Sequence, residues 1–445
     1  MTTKVKVIFP ANAPGRPSWP YMDYDVEKKR DEVLAALHRH LPQMDFSADI
    51  LRSAEEAEKL VEKDGNRFDG YLIYMTAMWT KIEQVFARKV HPVIIADDLY
   101  AGSGGILSTH SVIQKERLPV VTVASSEFRD TVEAVRLFDV MRQLRDARIL
   151  VVSDRREKPD KDERIDPTGT TVVQMGSDRL HEYYNATQEQ TAEDYQQQWM
   201  DEAVKMVEPD AEEILKSARM HLALKAAMQD AEADAVTVDC LGLYYANKLP
   251  AYPCLSFFQL NNEGSTGVCE ADIDSTLSQL MLRYLTGRPG YVSDPVIDTA
   301  ANQIVYAHCV ATNRVFGPDS ARNPYIIRSH AEDGKGASVQ SMMPLGETVT
   351  TIKINPRDKR FAIHNGRTVA NVNDDKGCRT KLAAEVDAQM LMDNYRFDLF
   401  GWHRVTCYGD HRKACLNLAR LYGFDIHEED RPSVQNMARL WQRSR

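Results

Sequence analysis

The sequence predicts an α/β protein, with two doubly wound α/β domains followed by a strand-rich, mixed C-terminal domain. Three observations predict it. Short β-rich apolar runs alternate with helical stretches through the first third of the chain, a rhythm that argues for a parallel sheet. A second such unit opens with ARILVVSD at 147–154. From about Arg288 the texture changes to NQIVYAHCVATNRVF, ETVTTIKINP and RFAIHNGRTVANV, which suggest antiparallel strands with Asn-Gly and Pro turns. The 445 residues suffice for two or three buried cores. The domains expected are 1–143, 144–288 and 289–445.

VKVIFP at 5–10 has the pattern of a buried strand, and 26–40 that of a helix. GYLIYMT (70–76), HPVIIAD (91–97) and LPVVTVA (118–124) are further strands. AGSGG at 101–105 lacks both the GxGxxG spacing and a GK[ST] ending, so it reads as a flexible loop near a strand end. The charged segment 156–169 is too polar to pack and is expected to be solvated. Helices at about 192–207 and 211–231 then lead to the strand VTVDCLG at 236–242.

Hydrophobic content of 43% and charged content of 27% are ordinary for a globular protein. The net charge of −10 argues against nucleic acid or an anionic membrane as the main partner. No apolar run approaches the ~20 residues that cross a bilayer. The opening MTTKVKVIFPANAP has no charged-then-apolar leader pattern, and the seven cysteines form no CxxC pair. A cytoplasmic protein with reduced thiols is the expectation.

The stretch GVCEADIDSTLSQLMLRYLTGRPGYVSDP carries the most chemistry. Ile273, Leu277, Leu280, Met281 and Tyr284 recur at helical spacing, Gly287 suits a left-handed cap and Pro289 blocks continuation. The helix should run roughly 24 Å out at ~1.5 Å per residue. The extended return to Asp294 can cover roughly 23 Å. Glu270 and Asp294 therefore come to the same level, where paired carboxylates can hold a divalent metal or share proton transfer. The plainer alternative is a helix-start carboxylate and a turn residue before Pro295.

A second block, LFGWHRVTCYGDHRKACLNLARLYGFDI, reads as a strand over 402–408, a Gly409-Asp410 turn and a helix over 411–422 ended by Gly423. Cys415, Leu418, Ala419 and Tyr422 mark the helix's buried stripe. His403 stands at the strand start, where a histidine is either structural or a ligand.

Together these blocks resemble the L-fucose isomerase and L-arabinose isomerase superfamily of metal-dependent aldose–ketose isomerases. Glu270 precedes a helix ending in Leu285-Thr286-Gly287, and Asp294 follows a short strand at the fucose isomerase spacing. The resemblance covers roughly 235–426, with ordered landmarks VTVDCLG, PCLSFFQLNNEG (253–264), AHC (307–309), PLGETVTTIKI (344–354) and GCRTK (377–381). It implies a fucose isomerase-like fold, with Glu270, Asp294 and His403 as ligands of Mn²⁺ or another divalent cation. It also implies that Glu270 and Asp294 are the acid/base pair of a reaction through a cis-enediol. Such chemistry needs a metal to hold vicinal oxygens and groups that give and take protons. Two close carboxylates on one metal should have their pKa values pulled apart.

Further candidates are His308, resembling an arabinose isomerase ligand or else a core residue, and His330, in a polar loop facing substrate or solvent. Arg16 in PGRPSW resembles a substrate-contacting Arg that acts across a subunit interface. Trp79 and Trp402 could stack on a sugar face or pack in a core. Two departures bear on the substrate: Trp402 replaces the family's Asn before the metal-binding His, and 239–242, starting at Asp239, replaces its Gln-bearing loop. The expected partner is a small-molecule sugar, with no nucleic acid and no membrane. The expected assembly is a homo-oligomer, trimer or hexamer, with active sites near subunit interfaces. The competing functions are epimerisation or bond cleavage on the same metal site, and sugar binding without turnover.

Overall fold

The computed structural model describes residues 2–12, 19–155 and 162–432. Arg16 lies outside the described residues. Two compact units emerge: Met1–Gln143 with Lys413–Asp425, and Leu144–Arg412 with Ile426–Arg445.

In the first unit, β1 (Thr3–Pro10) is buried along most of both faces and takes the interior of a parallel sheet. It pairs with β2 (Met44–Leu51) and β3 (Gly70–Met75); β4 (Val93–Asp97) and β5 (Val120–Val123) follow, in the order β2-β1-β3-β4-β5. The crossover helix Val26–His40 starts where the Asp25 side chain accepts the Lys28 amide, and it buries Val33 and Leu37. AGSGG departs from the loop expected of it: Ser103–Glu116 is helical, so Gly104 and Gly105 open a helix. The cause is Asp97, whose Oδ1 accepts the Gly102 amide at 2.8 Å and leaves no room for a Cβ there. The helix Arg412–Leu421 buries Cys415, Leu418 and Ala419, as its stripe predicts.

The second unit opens with a sheet ordered β11-β10-β6-β8-β7, from β6 (Arg148–Val152), β7 (Glu163–Ile165) and β8 (Thr170–Met175), then β10 (Ala235–Val238) and β11 (Thr266–Cys269) beyond the short β9 (Lys205–Met206). Part of the segment expected to be solvated is a β7–β8 hairpin. It is anchored by buried hydroxyls: Thr170 Oγ1 donates to the Leu144 carbonyl at 2.7 Å and lies 3.0 Å from Thr168 Oγ1.

The strand-rich region comprises β12 (Tyr291–Asp298), β13 (Gln303–His308), β16 (Thr348–Asn355), β17 (Arg360–Asn371), β18 (Thr380–Glu385) and β19 (Arg404–Tyr408). β14 (Tyr325–Arg328) and β15 (Ser338–Ser341) form a small separate sheet with β9, and β20 (Asp425–Glu428) adds to β17. Because β16 pairs with both β17 and β19, the six antiparallel strands β16-β19-β12-β13-β18-β17 close on themselves into a barrel. Asn365-Gly366, expected as a turn, lies inside β17. Close strand approach accounts for the glycine: a Cβ there would meet Ala384 Cβ and Val386 Cγ1 at 3.1 Å. The turn expected at Pro356 is present, joining β16 to β17. The helix Ile273–Thr286 ends at Gly287 in the left-handed conformation (φ 69°) and packs against β16 and β19. All seven cysteines are free thiols, and among the described residues no helix is long and apolar enough to cross a membrane.

Candidate metal centre

β11 passes into the helix Ile273–Thr286 through Glu270 and Ala271, both left-handed at φ 67° and 52°. Neither is glycine, so each costs on the order of 1–3 kcal/mol, the kind of strain that clusters at functional sites. The Ala271 amide holds the turn by bonding the Val238 carbonyl at 2.9 Å. Glu270 thus sits at the carboxyl end of the parallel sheet, where α/β folds bind ligands.

The barrel supplies the rest through its register. Within β12, Ser293 faces Arg404 of β19 and Asp294 faces Ala307 of β13. His403, just before β19, and His308, the last residue of β13, therefore flank Asp294. His403 Nε2 is 3.1 Å from Asp294 Oδ1 and 3.5 Å from Glu270 Oε2. Ligand atoms of Glu270, His308 and His403 all lie within 4.8 Å of one another. Asp294 stands outside that mutually close set while touching His403. Its Oδ2 accepts a hydrogen bond from the Cys378 thiol at 3.7 Å.

The local charges act on these groups in opposite directions. Burial raises the Glu270 carboxyl above its ordinary value, with Asp294 adding to the rise and His403 opposing it. Burial opposes ionisation of Asp294 too, but His403, His308 and Cys378 hold it below the usual range. Burial would lower His403, yet its hydrogen bond to Asp272 and the nearby negative charges of Asp294 and Glu270 push it up to about 10. His308 goes the other way, down to about 4 through burial, and is neutral at physiological pH.

Two residues absent from the sequence reading complete the centre. Asp272 accepts from His403 Nδ1 at 2.8 Å and from the buried Lys353 Nζ at 2.7 Å. Their signals in the sequence were a helix-cap position and a lysine inside the apolar strand TTIKI. Deeper still, Arg404 (0% exposed) pairs with Glu429 at 2.7 Å and donates to the His403 carbonyl at 3.0 Å.

The other predicted residues are placed as follows. His330 is buried and stacked on Tyr252 with ring centroids 4.4 Å apart, and burial holds its imidazole below the ordinary histidine value. Asp239 is buried just past the end of β10, as Glu270 is just past the end of the neighbouring β11, and pairs with Arg155 at 2.7 Å. Trp402 is half exposed next to His403, its Nε1 donating to the Pro295 carbonyl at 3.1 Å. Trp79 is exposed in the first unit.

The donor set suits a divalent cation such as Mn²⁺, which takes carboxylate and imidazole ligands together. Asp294 Oδ1 is buried with no hydrogen-bond partner, the deficit a bound cation relieves; His308 Nε2 also lacks a partner, a deficit an acceptor oxygen relieves. The histidines differ as ligands. The Asp272 carboxylate can only accept, so His403 Nδ1 carries a proton, and Nε2, giving up its own proton to an incoming cation, would be the coordinating atom. His308 Nδ1 accepts the Cys309 amide at 2.9 Å, which places the neutral ring's proton on Nε2, as a donor to the site.

No family model matches the chain. The chain is similar to the sulfoquinovose isomerase of Priestia aryabhattai, at 25% identity over 220 residues, 48% of this chain and 48% of that protein. Its similarity to the sulfoquinovose isomerase of Priestia megaterium has the same 25% identity and 48% shares. The chain thus spans about half the length of the curated relatives it matches, and this likeness fits a sugar-isomerase family.

Proposed function

We propose that this protein is a divalent-metal-dependent aldose–ketose sugar isomerase of the fucose isomerase-like kind. The observation that carries the reading is the convergence of Glu270, Asp294 and His403 Nε2 at one barrel end, with a partnerless carboxylate oxygen among them. These three residues would hold the ion, and His308 would donate a hydrogen bond from Nε2 to a substrate oxygen. When bound, a divalent ion polarises vicinal substrate oxygens and stabilises negative charge developing there. Glu270 and Asp294, driven to opposite sides of the ordinary carboxyl range, form the acid/base pair. They move one proton between C2 and C1 and another between the two oxygens, through an enediol.

The relatives' names supply the substrate class, a sulfonated aldose. Arg155 supports it: this exposed guanidinium, paired with Asp239, lies on the same carboxyl edge of the sheet as Glu270 and can meet an anionic sugar end. His330 and Trp402 would border the sugar. The proposal includes the three-domain division at 143 and 288, a reducing cytoplasmic setting and a trimeric or hexameric assembly. The exposed aromatics Tyr21, Trp79 and Tyr100 of the first unit support association.

The test is incubation of Mn²⁺-loaded protein with sulfonated, deoxy and unsubstituted pentoses and hexoses, read by product NMR. Interconversion of an aldose with its ketose is expected, fastest for the sulfonated member. Metal-loaded protein that converts no member of the panel contradicts the reading.

A further inference from the structure

We propose that Asp272, charge-balanced by Lys353, is the positioning residue that fixes the His403 ring with Nε2 toward the metal. The inference rests on His403 being a metal ligand, as proposed above. Asp272 Oδ2 receives three donors: His403 Nδ1 at 2.8 Å, Lys353 Nζ at 2.7 Å and Ser275 Oγ at 2.7 Å. Its Oδ1 accepts the Ser275 amide at 2.9 Å, capping the helix Ile273–Thr286. The cap accounts for Oδ1 and for Ser275. It accounts neither for a histidine 131 residues away in sequence nor for a lysine that is 2% exposed.

Each partner comes from a different element: Asp272 from the helix cap, Lys353 from β16 and His403 from the entry to β19. A lysine this deeply buried needs an ionic partner, and the pair keeps Asp272 a carboxylate that holds the His403 proton rather than taking it. Lys353 also donates to Ser275 Oγ at 2.6 Å, which pins the ammonium in place. With Nδ1 tied back, Nε2 faces Asp294 and Glu270. A carboxylate behind a ligating histidine orients the ring and raises its basicity, and losing it costs roughly 10–100-fold in metal affinity.

Asp272→Asn separates positioning from capping, because asparagine caps helices as well as aspartate does. Mn²⁺ titrated calorimetrically into the metal-free variant should bind roughly 10–100-fold more weakly than to wild type. Asp210→Ala is the control: Asp210 caps the helix Ala211–Asp230 through the Glu213 amide at 2.9 Å. Its loss removes a cap without touching the site, so Mn²⁺ affinity should stay at the wild-type value. A measurement on the unaltered protein guards against misfolding of the variant. With ¹⁵N-labelled histidine and Zn²⁺ bound, His403 should keep its proton on Nδ1.

Asp272→Asn that binds Mn²⁺ as tightly as wild type overturns the inference, as does a metal-loaded His403 with no proton on Nδ1. Wild-type protein that binds no divalent cation overturns both this inference and the proposed metal centre. Wild-type protein that binds Mn²⁺ but converts no sugar, with the Asp272→Asn variant weakened, overturns the isomerase reading alone and supports this one.

Discussion

Asp294→Asn isolates the charge of one proposed ligand, because asparagine fills the same space in β12. In wild type, Asp294 Oδ1 is buried without a hydrogen-bond partner, 3.1 Å from His403 Nε2. A bound ion stabilises the fold by RT ln(1 + [M]/Kd), about 2.7 kcal/mol at a free concentration of 100 Kd. Removing only the hydrogen-bond partner of a ligand weakens a site by roughly 10–100-fold, so removing the ligand's own charge should reach at least the upper figure. At the same free Mn²⁺, a site ~100-fold weaker returns only about 0.4 kcal/mol. The assay is urea unfolding of both proteins by tryptophan fluorescence, with chelator and then at fixed free Mn²⁺. Each protein is compared with its own metal-free baseline, so the lost Asp294–His403 attraction drops out. A gain of about 2.7 kcal/mol for wild type against about 0.4 for the variant is expected. Equal gains would refute Asp294 as a ligand.

Three further expectations follow from other parts of the molecule. Glu270→Gln should leave the fold intact, since the side chain is 37% exposed, but lower turnover by ~10²–10⁴; near-normal turnover with metal bound would remove Glu270 from the acid/base pair. Glu429→Gln strands the buried Arg404 and should cost roughly 3–5 kcal/mol in urea unfolding, and a cost under ~1 kcal/mol would contradict the pairing. Burial opposes ionisation of Glu429, but Arg404 and His364 hold its pKa down to about 2 from an ordinary 4.5. Its stabilisation is therefore complete above pH 4.5 and fades as the pH falls toward 2, so the variant should lose less stability than wild type across that window. Gly366→Ala forces a methyl against Ala384 and Val386 at 3.1 Å and should cost roughly 1–3 kcal/mol by overpacking; a neutral result would mean that β17 and β18 can separate.

Where the sequence was legible, local chemistry decided the structure. The helix Val26–His40, the left-handed cap at Gly287 and the buried strands of the first sheet follow from periodicity, capping and apolar runs. β2 escaped notice because an edge strand with alternating exposure has no continuous apolar run. Asn365-Gly366 has turn chemistry, yet the glycine is needed where β18 approaches. Barrel closure rests on β16 pairing with two strands at once, a non-local fact without a local signature. The same division holds at the site. The resemblance singles out Glu270, Asp294 and His403, whereas the left-handed backbone at Glu270 and Ala271 has no counterpart in it. Asp272 caps the helix, and its reach to His403 appears only once helix, β16 and β19 are assembled.

In the proposed reaction, isomerisation occurs at a divalent ion held by Glu270, Asp294 and His403. The most direct measurement is ¹H and ¹³C NMR of the sulfonated aldose incubated in D₂O with Mn²⁺-loaded protein, and again after chelation and removal of the metal. The corresponding ketose with an intact carbon chain and deuterium at carbon is expected, and no such product from the metal-free protein. Equal conversion by the metal-free protein, or a broken carbon chain, would contradict the proposed reaction.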